Sequence, residues 1–252
     1  MMRFSLLSLF TFFLCTQIPV LGNEARTPPK VDWSFKKAFG TYKRDELQRG
    51  FQVYKEVCAT CHSMQHLRYE KLSALGFSPE EIKAIASNYE VPGPLNDEGE
   101  PTKKKAESKD FFAAPYANSK AARAANNGAL PVDLTLITKA RKYGADYIQA
   151  LMMGYEDAPS DFKLMTGMHY NVYFPGHQIA MPAPLAENQV TYADGTAATK
   201  LQMAHDIATF LSWAAEPEME YRKQMGLKVL MYLAIFTALM FAMMRRVWKD
   251  VR

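Results

Sequence analysis

The sequence predicts a mainly helical, exported domain carried on one C-terminal transmembrane helix. Three observations carry this reading. A basic start precedes an apolar N-terminal run, 19 nearly uncharged residues lie close to the C-terminus, and helical periodicity surrounds a Cys-x-x-Cys-His segment between them. The 252 residues are 48% hydrophobic and 22% charged, which suffices for a sizeable core and excludes both wholesale disorder and a polytopic membrane protein. The formal net charge is +4, yet residues 24–216 hold 22 basic against 23 acidic side chains. The positive excess therefore flanks the two apolar runs, so it reports membrane topology and not a nucleic-acid surface.

The chain opens with Met1-Met2-Arg3, the apolar run Phe4–Leu14, and then Gln17-Ile18-Pro19-Val20-Leu21-Gly22-Asn23. A charged start, a short apolar stretch and a small residue beyond a turn-forming Pro make a secretory signal peptide over 1–23, cleaved near Gly22–Asn23. The run is too short to cross a bilayer, which takes about 20 residues. A mitochondrial presequence is usually longer and Arg-rich, so the expected destination is the bacterial periplasm.

Residues 24–45 are polar with Pro28-Pro29 and read as an extended lead-in. From Gly50 to Leu75 a helix and its continuation are expected, because Phe51, Tyr54 and Val57-Cys58 share one stripe while Gln52, Lys55 and Glu56 face away. On that stripe stands Cys58-Ala59-Thr60-Cys61-His62, the c-type haem attachment motif. Its spacing has a chemical reason. Thiols three residues apart on a helix lie on one face and can add to the two vinyl groups of one porphyrin, and His62 turns to the same face as proximal iron ligand. A zinc site or a thiol redox pair is the competing reading, but two thiolates with His62 or His66 lack a fourth zinc ligand.

Ser78-Pro79-Glu80-Glu81 is an N-cap with Pro at the first position and acids in the first turn, so a short helix is expected to Ser87. Residues 91–110 are Pro/Gly-rich and charged, with Lys103–Lys105, and read as a solvent loop. Pro131–Gly154 reads as helical, with Asp133 as cap and a break near Gly144. The stretch 161–184 is rich in Tyr, Phe, Gly and Pro and reads as irregular. Thr199–Ala215 reads as an amphipathic helix stopped by Glu216-Pro217, with His205 on its edge.

Gly226–Met244 then runs 19 residues with one charge, Lys228. At about 1.5 Å per residue it spans roughly 28 Å, close to the ~30 Å hydrocarbon core. Lys228 can snorkel to the interface. Arg245, Arg246, Lys249 and Arg252 follow and mark a cytoplasmic tail.

An electron carrier built on the Cys58–His62 motif needs a second axial ligand, whereas an open position suits ligand binding or a peroxidase. With Met203 and Met219 read as packing on helical patterns, the candidates are Met152, Met153, Met165, Met168 and Met181, with His66, His169, His177 and His205. Met181 has the most suitable context, because Pro175, Pro182 and Pro184 stiffen its segment and Ile179 and Ala180 surround it. His177 is the second candidate.

Taken in order, Arg49-Gly50-Phe51-Gln52-Val53-Tyr54, Cys61-His62-Ser63-Met64, Ala121–Leu130, Phe174–Pro184, Trp213–Pro217 and Arg222–Lys228 resemble the cytochrome c1 family, the haem subunits of cytochrome bc1 complexes. The resemblance runs from about residue 30 to 250. It implies a class I cytochrome c-like domain with long loop insertions over 24–216, and a transmembrane anchor with a short cytoplasmic tail over 217–252. It also implies one covalently attached haem c, with thioether links at Cys58 and Cys61 and axial ligands His62 and Met181. Arg141 is implied beside a haem propionate, Asn126 and Pro131 in a loop lining the haem, and Tyr147 in the pocket.

The implied role is a redox subunit of quinol–cytochrome c oxidoreductase that does no bond-making chemistry itself. It would take electrons from the Rieske iron–sulfur protein, beside cytochrome b, and pass them to a soluble or membrane-anchored cytochrome c. The implied location is the bacterial inner membrane, single-pass, with the haem domain on the periplasmic side. A free-standing membrane-anchored shuttle, an oxidase haem subunit and an open-site peroxidase are the alternatives. The 91–110 segment alternates acids with Lys103–Lys105 instead of presenting one sign, and Cys58 and Cys61 leave no further cysteine pair to brace the Met181 segment.

Overall fold

The computed structural model describes residues 24–250, and the signal peptide expected over 1–23 lies outside the described residues, as does the end of the tail. Among the described residues, six α-helices and two small two-stranded sheets make a mostly helical head, and a seventh, long helix leaves it. The head is built on α1 (Arg44–Glu56), packed against α6 (Lys200–Ala215), with α5 (Ala145–Met153) on another side of α6. This is the arrangement expected of a cytochrome c-like domain.

The α1–α6 contact follows from one small residue and one ion pair. A Cβ on Gly50 would collide with the Asp206 carbonyl oxygen and stand 2.6 Å from Phe210 Cβ, so only glycine admits this approach. One residue earlier, Arg49 Nε and Nη2 donate to the two oxygens of the fully buried Asp206 at 3.0 and 3.3 Å, and Nη1 donates to Asp194 at 2.7 Å. The fork matches the carboxylate and balances a charge that would otherwise be costly to bury. Phe51, Tyr54, Phe112 and Phe210 then close the aromatic centre of the core. Helix α6 is less amphipathic than expected: it is buried almost all round from Met203 to Ala214. Its N-terminus is capped by Thr199, whose Oγ1 accepts from Gln202 N.

Three other expectations are corrected. Residues 91–110 are not a loop: β1 (Glu90–Leu95) and β2 (Pro101–Lys105) pair antiparallel, Val91 opposite Lys104. Pro92 and Pro94 are tolerated because a two-stranded ladder consists of edges, where a missing N–H leaves no inner partner unpaired. Asn96 closes the turn, accepting from Glu100 N on its side chain and from Gly99 N on its carbonyl, with Gly99 at φ +79°. Lys104 is neutralised by Glu107 and Asp110.

The second correction concerns 131–154, where the break near Gly144 is as expected but Asp133 caps no helix. Only α4 (Ile137–Ala140) and α5 are helical, broken at Gly144 with φ +56°. Asp133 serves a different end, described below. Third, the lead-in is not merely extended: Trp33, Phe35 and Tyr42 are core residues, and Trp33 Nε1 and Lys36 Nζ both donate to the Asp146 carboxylate on α5.

The short helix α2 (Pro79–Ser87) is capped as expected, with Ser78 and Glu81 bonding each other's backbone N–H. Helix α7 (Met219–Val247) is continuous through the apolar run and exposed along it, consistent with a span long enough to cross a membrane. Its first turns are tied to the head. Met219 is buried, Glu220 accepts from Tyr42 N, and Glu216, just before it, pairs with Lys139 and Arg222.

Candidate functional site

The Cys58–His62 segment sits where α1 ends, not within it. Helix α1 stops at Glu56, Val57 departs to φ −116°, and Cys58–Thr60 forms a 3-10 turn. The expected continuation to Leu75 is therefore replaced by this turn, a loop, and a second 3-10 segment at Tyr69–Leu75. Thr60 Oγ1 donates to Val57 O, capping the helix end that the β-branched residues weaken. Cys61 N and His62 N both donate to Cys58 O, at 3.1 and 2.9 Å, so the turn keeps the compact spacing that the motif requires.

Both cysteines are free and half-buried. Burial pushes the Cys58 thiol up to about 12, with Cys61 adding to the rise, so it is held protonated. A thiol redox centre or a zinc site needs thiolate. Among the described residues, no three His, Cys, Asp or Glu side chains are grouped to hold a metal ion.

His62 is oriented by the backbone. Its Nδ1 lies 2.7 Å from Val132 O, and a carbonyl can only accept, so Nδ1 carries the proton and Nε2 keeps its lone pair. Burial lowers the His62 pKa against the opposing pull of the Val132 carbonyl, which favours the neutral ring. The strand of chain that supplies Val132 is stapled alongside by Asp133. Its carboxylate accepts from Ser63 Oγ at 2.9 Å, Gln65 N at 2.7 Å and Thr135 N at 2.9 Å, and Leu134 N donates to Ser63 O. Though burial opposes it, these bonds hold Asp133 below the usual carboxylate range. Pro131 thus stands next to the residue that orients His62.

Met181 follows β4 (Gln178–Ile179), which pairs with β3 (His169–Tyr170). It is half-buried against the core, and its carbonyl accepts from Tyr155 Oη at 3.0 Å. Asn171 holds this segment onto the end of α5: fully buried, it donates Nδ2 to Leu151 O and accepts from Tyr173 N. A Cβ on Gly154 would stand 2.8 Å from Asn171 Oδ1, so this junction also needs glycine. His177, the second ligand candidate, is buried in the same segment, with Nδ1 3.3 Å from Asn171 O and its ring against Tyr170 and Phe162.

Arg141 is exposed, with Nη1 donating to Ala140 O, and it stands beside the buried Tyr147 on α5. Burial raises the Tyr147 pKa and the Arg141 guanidinium offsets part of the rise. Tyr155 is raised by burial first and by Tyr147 second, so the two phenols are neighbours. Arg141 is thus paired with Tyr147, and Tyr155 with the Met181 carbonyl. Asn126 belongs to neither group: its Nδ2 donates to Ala122 O and Tyr116 Oη, closing the end of α3 (Ser119–Ala125).

Sequence reasoning missed Tyr155, Asn171 and the Val132 carbonyl. The first two carried a faint signal, as polar groups in an apolar stretch, whereas a backbone carbonyl has none.

These residues fit a covalently held haem. Two free thiols lie beside a neutral imidazole with an available Nε2, and Leu130, Val132 and Leu136 stand exposed on the very segment stapled to His62, apolar surface that a porphyrin can cover. A half-buried thioether lies on a separately braced loop. Cys58 and Cys61 would form the links, and His62 and Met181 would be the axial ligands.

The sequence model of the Cytochrome C1 family matches residues 33–251. A cytochrome c1 of Rhodospirillum rubrum is 46% identical over 239 residues, covering 88% of each chain. A cytochrome c1 of Blastochloris viridis is 40% identical, covering 93% of this chain and 91% of its own. The mitochondrial "cytochrome b-c1 complex catalytic subunit" of Candida albicans is 44% identical, covering 89% of this chain and 78% of its own. Since the match takes in the attachment turn, the braced methionine segment and the long terminal helix together, the chain belongs to the cytochrome C1 family.

Proposed function

We propose that this chain is the haem-bearing electron-transfer subunit of a cytochrome bc1 complex. In this role it takes electrons from the Rieske iron–sulfur protein and delivers them to a soluble or membrane-anchored cytochrome c. The observation that carries the reading is the His62 imidazole, with Nδ1 bound to Val132 O and Nε2 free, next to two free thiols. The family and the name of the Candida albicans relative support membership of such a complex, and with it contact to cytochrome b. Haem c, when bound, supplies a one-electron iron couple, and ligation by His and Met places it toward the oxidising end of the range.

The protein's own part is positional. Cys58 and Cys61 hold the group without reliance on the axial bonds. Val132 O fixes the His62 tautomer, Asp133 keeps the His62 and Val132 segments in register, and Tyr155 with Asn171 braces the Met181 segment. Arg141 offers a fork of donors to a propionate, with Tyr147 behind it. A ligand set that is rigid in both oxidation states keeps reorganisation small, which suits a carrier and not a catalyst. Helix α7 anchors the head in the bacterial inner membrane. With residues 1–23 as an export signal, the head at 24–216 lies on the periplasmic face and the basic end of the 217–252 anchor in the cytoplasm.

The test is gentle solubilisation of native membranes, purification of this chain and a dithionite-reduced minus oxidised spectrum of what accompanies it. Absorption from b-type haems together with the c-type band is the expected result. A c-type band alone, with stable full-length chain, would leave a free-standing anchored shuttle. Rapid binding of carbon monoxide or peroxide to the native haem would favour an open-site enzyme.

A further inference from the structure

We infer that the Lys37–Gly40 loop is a second membrane contact, with Phe39 seated at the headgroup boundary beside the C-terminal helix. This rests on the reading of α7 as a membrane span. Phe39 is 80% exposed, more than any other large apolar residue described, those of α7 included. Single exposed apolar side chains are ordinary on soluble proteins. What sets this one apart is the level at which it is held.

The level is set by Lys223 on the second turn of α7. Its ammonium donates to three carbonyls, Phe35 O at 2.7 Å, Lys37 O at 2.7 Å and Gly40 O at 3.0 Å, which uses all three of its protons. The apolar run begins at Gly226, three residues on, which is about 4.5 Å of helix rise. The loop is thus clamped within one helical turn of the point where the chain enters hydrocarbon.

It is also rigid there. Gly40 N donates to Lys37 O, and a Cβ on Gly40 would collide with Ser34 O, so the chain doubles back tightly and leaves Ala38-Phe39 at its tip. On either side Phe35 and Tyr42 are buried, and Tyr42 N is bound to Glu220 of α7. Neither neighbour leaves Phe39 a path into the core. Lys37 is largely exposed, and its ammonium lies 3.2 Å from the exposed Asp32 carboxylate, which keeps the charged head in water while its apolar stem lies beside Phe39. An apolar ring with a lysine beside it is a pairing that segments lying in the membrane interface use. The bilayer is the occupant this placement selects, because the helix that holds the loop is itself immersed a few ångströms away.

The test uses the full-length, haem-loaded chain within its native assembly, reconstituted in vesicles of phosphatidylcholine and phosphatidylglycerol. Nitroxide labels are placed through Phe39→Cys, through Leu233→Cys in the middle of the apolar run, and through Leu201→Cys at the far end of α6. Collision with oxygen, which concentrates in lipid, is compared with collision with a nickel chelate, which stays in water. The expected oxygen-to-nickel ratio at 39 is several-fold above that at 201 and below that at 233. A ratio at 39 equal to that at 201, with 233 in lipid, overturns the inference alone. A water-like ratio at 233 overturns the span reading beneath it. A label at 39 shielded from both reagents also overturns the inference, since it identifies a protein neighbour as the occupant. Quenching of Phe39→Trp fluorescence by lipids brominated near the headgroup is the second readout, should the cysteine variant assemble poorly.

Discussion

Tyr155 Oη donates to Met181 O at 3.0 Å, so the residue proposed as sixth ligand is held through its own carbonyl by a phenol from the end of α5. A hydrogen bond to the backbone leaves the thioether untouched while removing the freedom of the segment that carries it. With no disulfide near this segment among the described residues, the bond and the buried Asn171 are what brace the methionine segment.

Tyr155→Phe should therefore retain fold and attached haem, lose about 1 kcal/mol of stability, and let an added ligand displace Met181 faster. Thermal melts and the rate of imidazole binding to the oxidised protein check this. An unchanged imidazole rate would remove the bracing role.

Met181→Leu should keep the haem covalently attached, since the Cys58 and Cys61 links do not depend on the sixth ligand. The midpoint potential should fall by on the order of 0.1 V, within the roughly 0.8 V that axial ligands command. A redox titration of the purified variant decides the matter. If the potential does not move, Met181 is not the ligand, and His177 becomes the next residue to replace.

Gly50→Ala places a methyl against Asp206 O and Phe210 Cβ, both in the interior of α6. The helices must separate or α6 must shift, and the loss should reach about 3 kcal/mol, the upper end for overpacking. The measurement is the yield and melting temperature of the membrane-inserted chain, compared with Gly226→Ala, an exposed helical glycine whose added Cβ meets nothing within 4 Å, as control.

Asp146 ties the lead-in to α5 through Lys36, Trp33 and Val31 N. Burial alone would raise its pKa, but these donors outweigh burial and lower it. A carboxylate depressed in the folded state contributes stability that is full above its unfolded pKa and is lost as pH falls through the folded value. Asp146→Asn should thus cost about 1–3 kcal/mol at pH 7, and the gap to wild type should close as pH drops below about 4. Denaturant melts across that range check both sign and window.

Elements with strong local chemistry were legible in the sequence. Ser78-Pro79-Glu80-Glu81 caps the helix it announced, Thr199–Ala215 is a helix to within one residue of the expected span, and the spacing of Cys58, Cys61 and His62 marks the candidate attachment site. The β1–β2 hairpin was not legible, because Pro92 and Pro94 mask its ladder and its burial alternation is weak. Asp133 looked like a helix cap because Thr135 lies two residues on; its other partners, Ser63 and Gln65, are remote in sequence.

By itself the sequence determined which side chains are candidates for the chemistry and where the chain turns apolar, since thiol spacing, thioether context and hydropathy are properties of neighbours along the chain. Only the tertiary structure decided the tautomer of His62, the bracing of Met181 and the clamp of Lys223 on the Phe35–Gly40 carbonyls. Each of these bonds ends on a backbone carbonyl many residues away. A carbonyl is the same group in every residue, so no residue code marks which one will be used; it is selected when the packing of α1, α5, α6 and α7 brings it within reach.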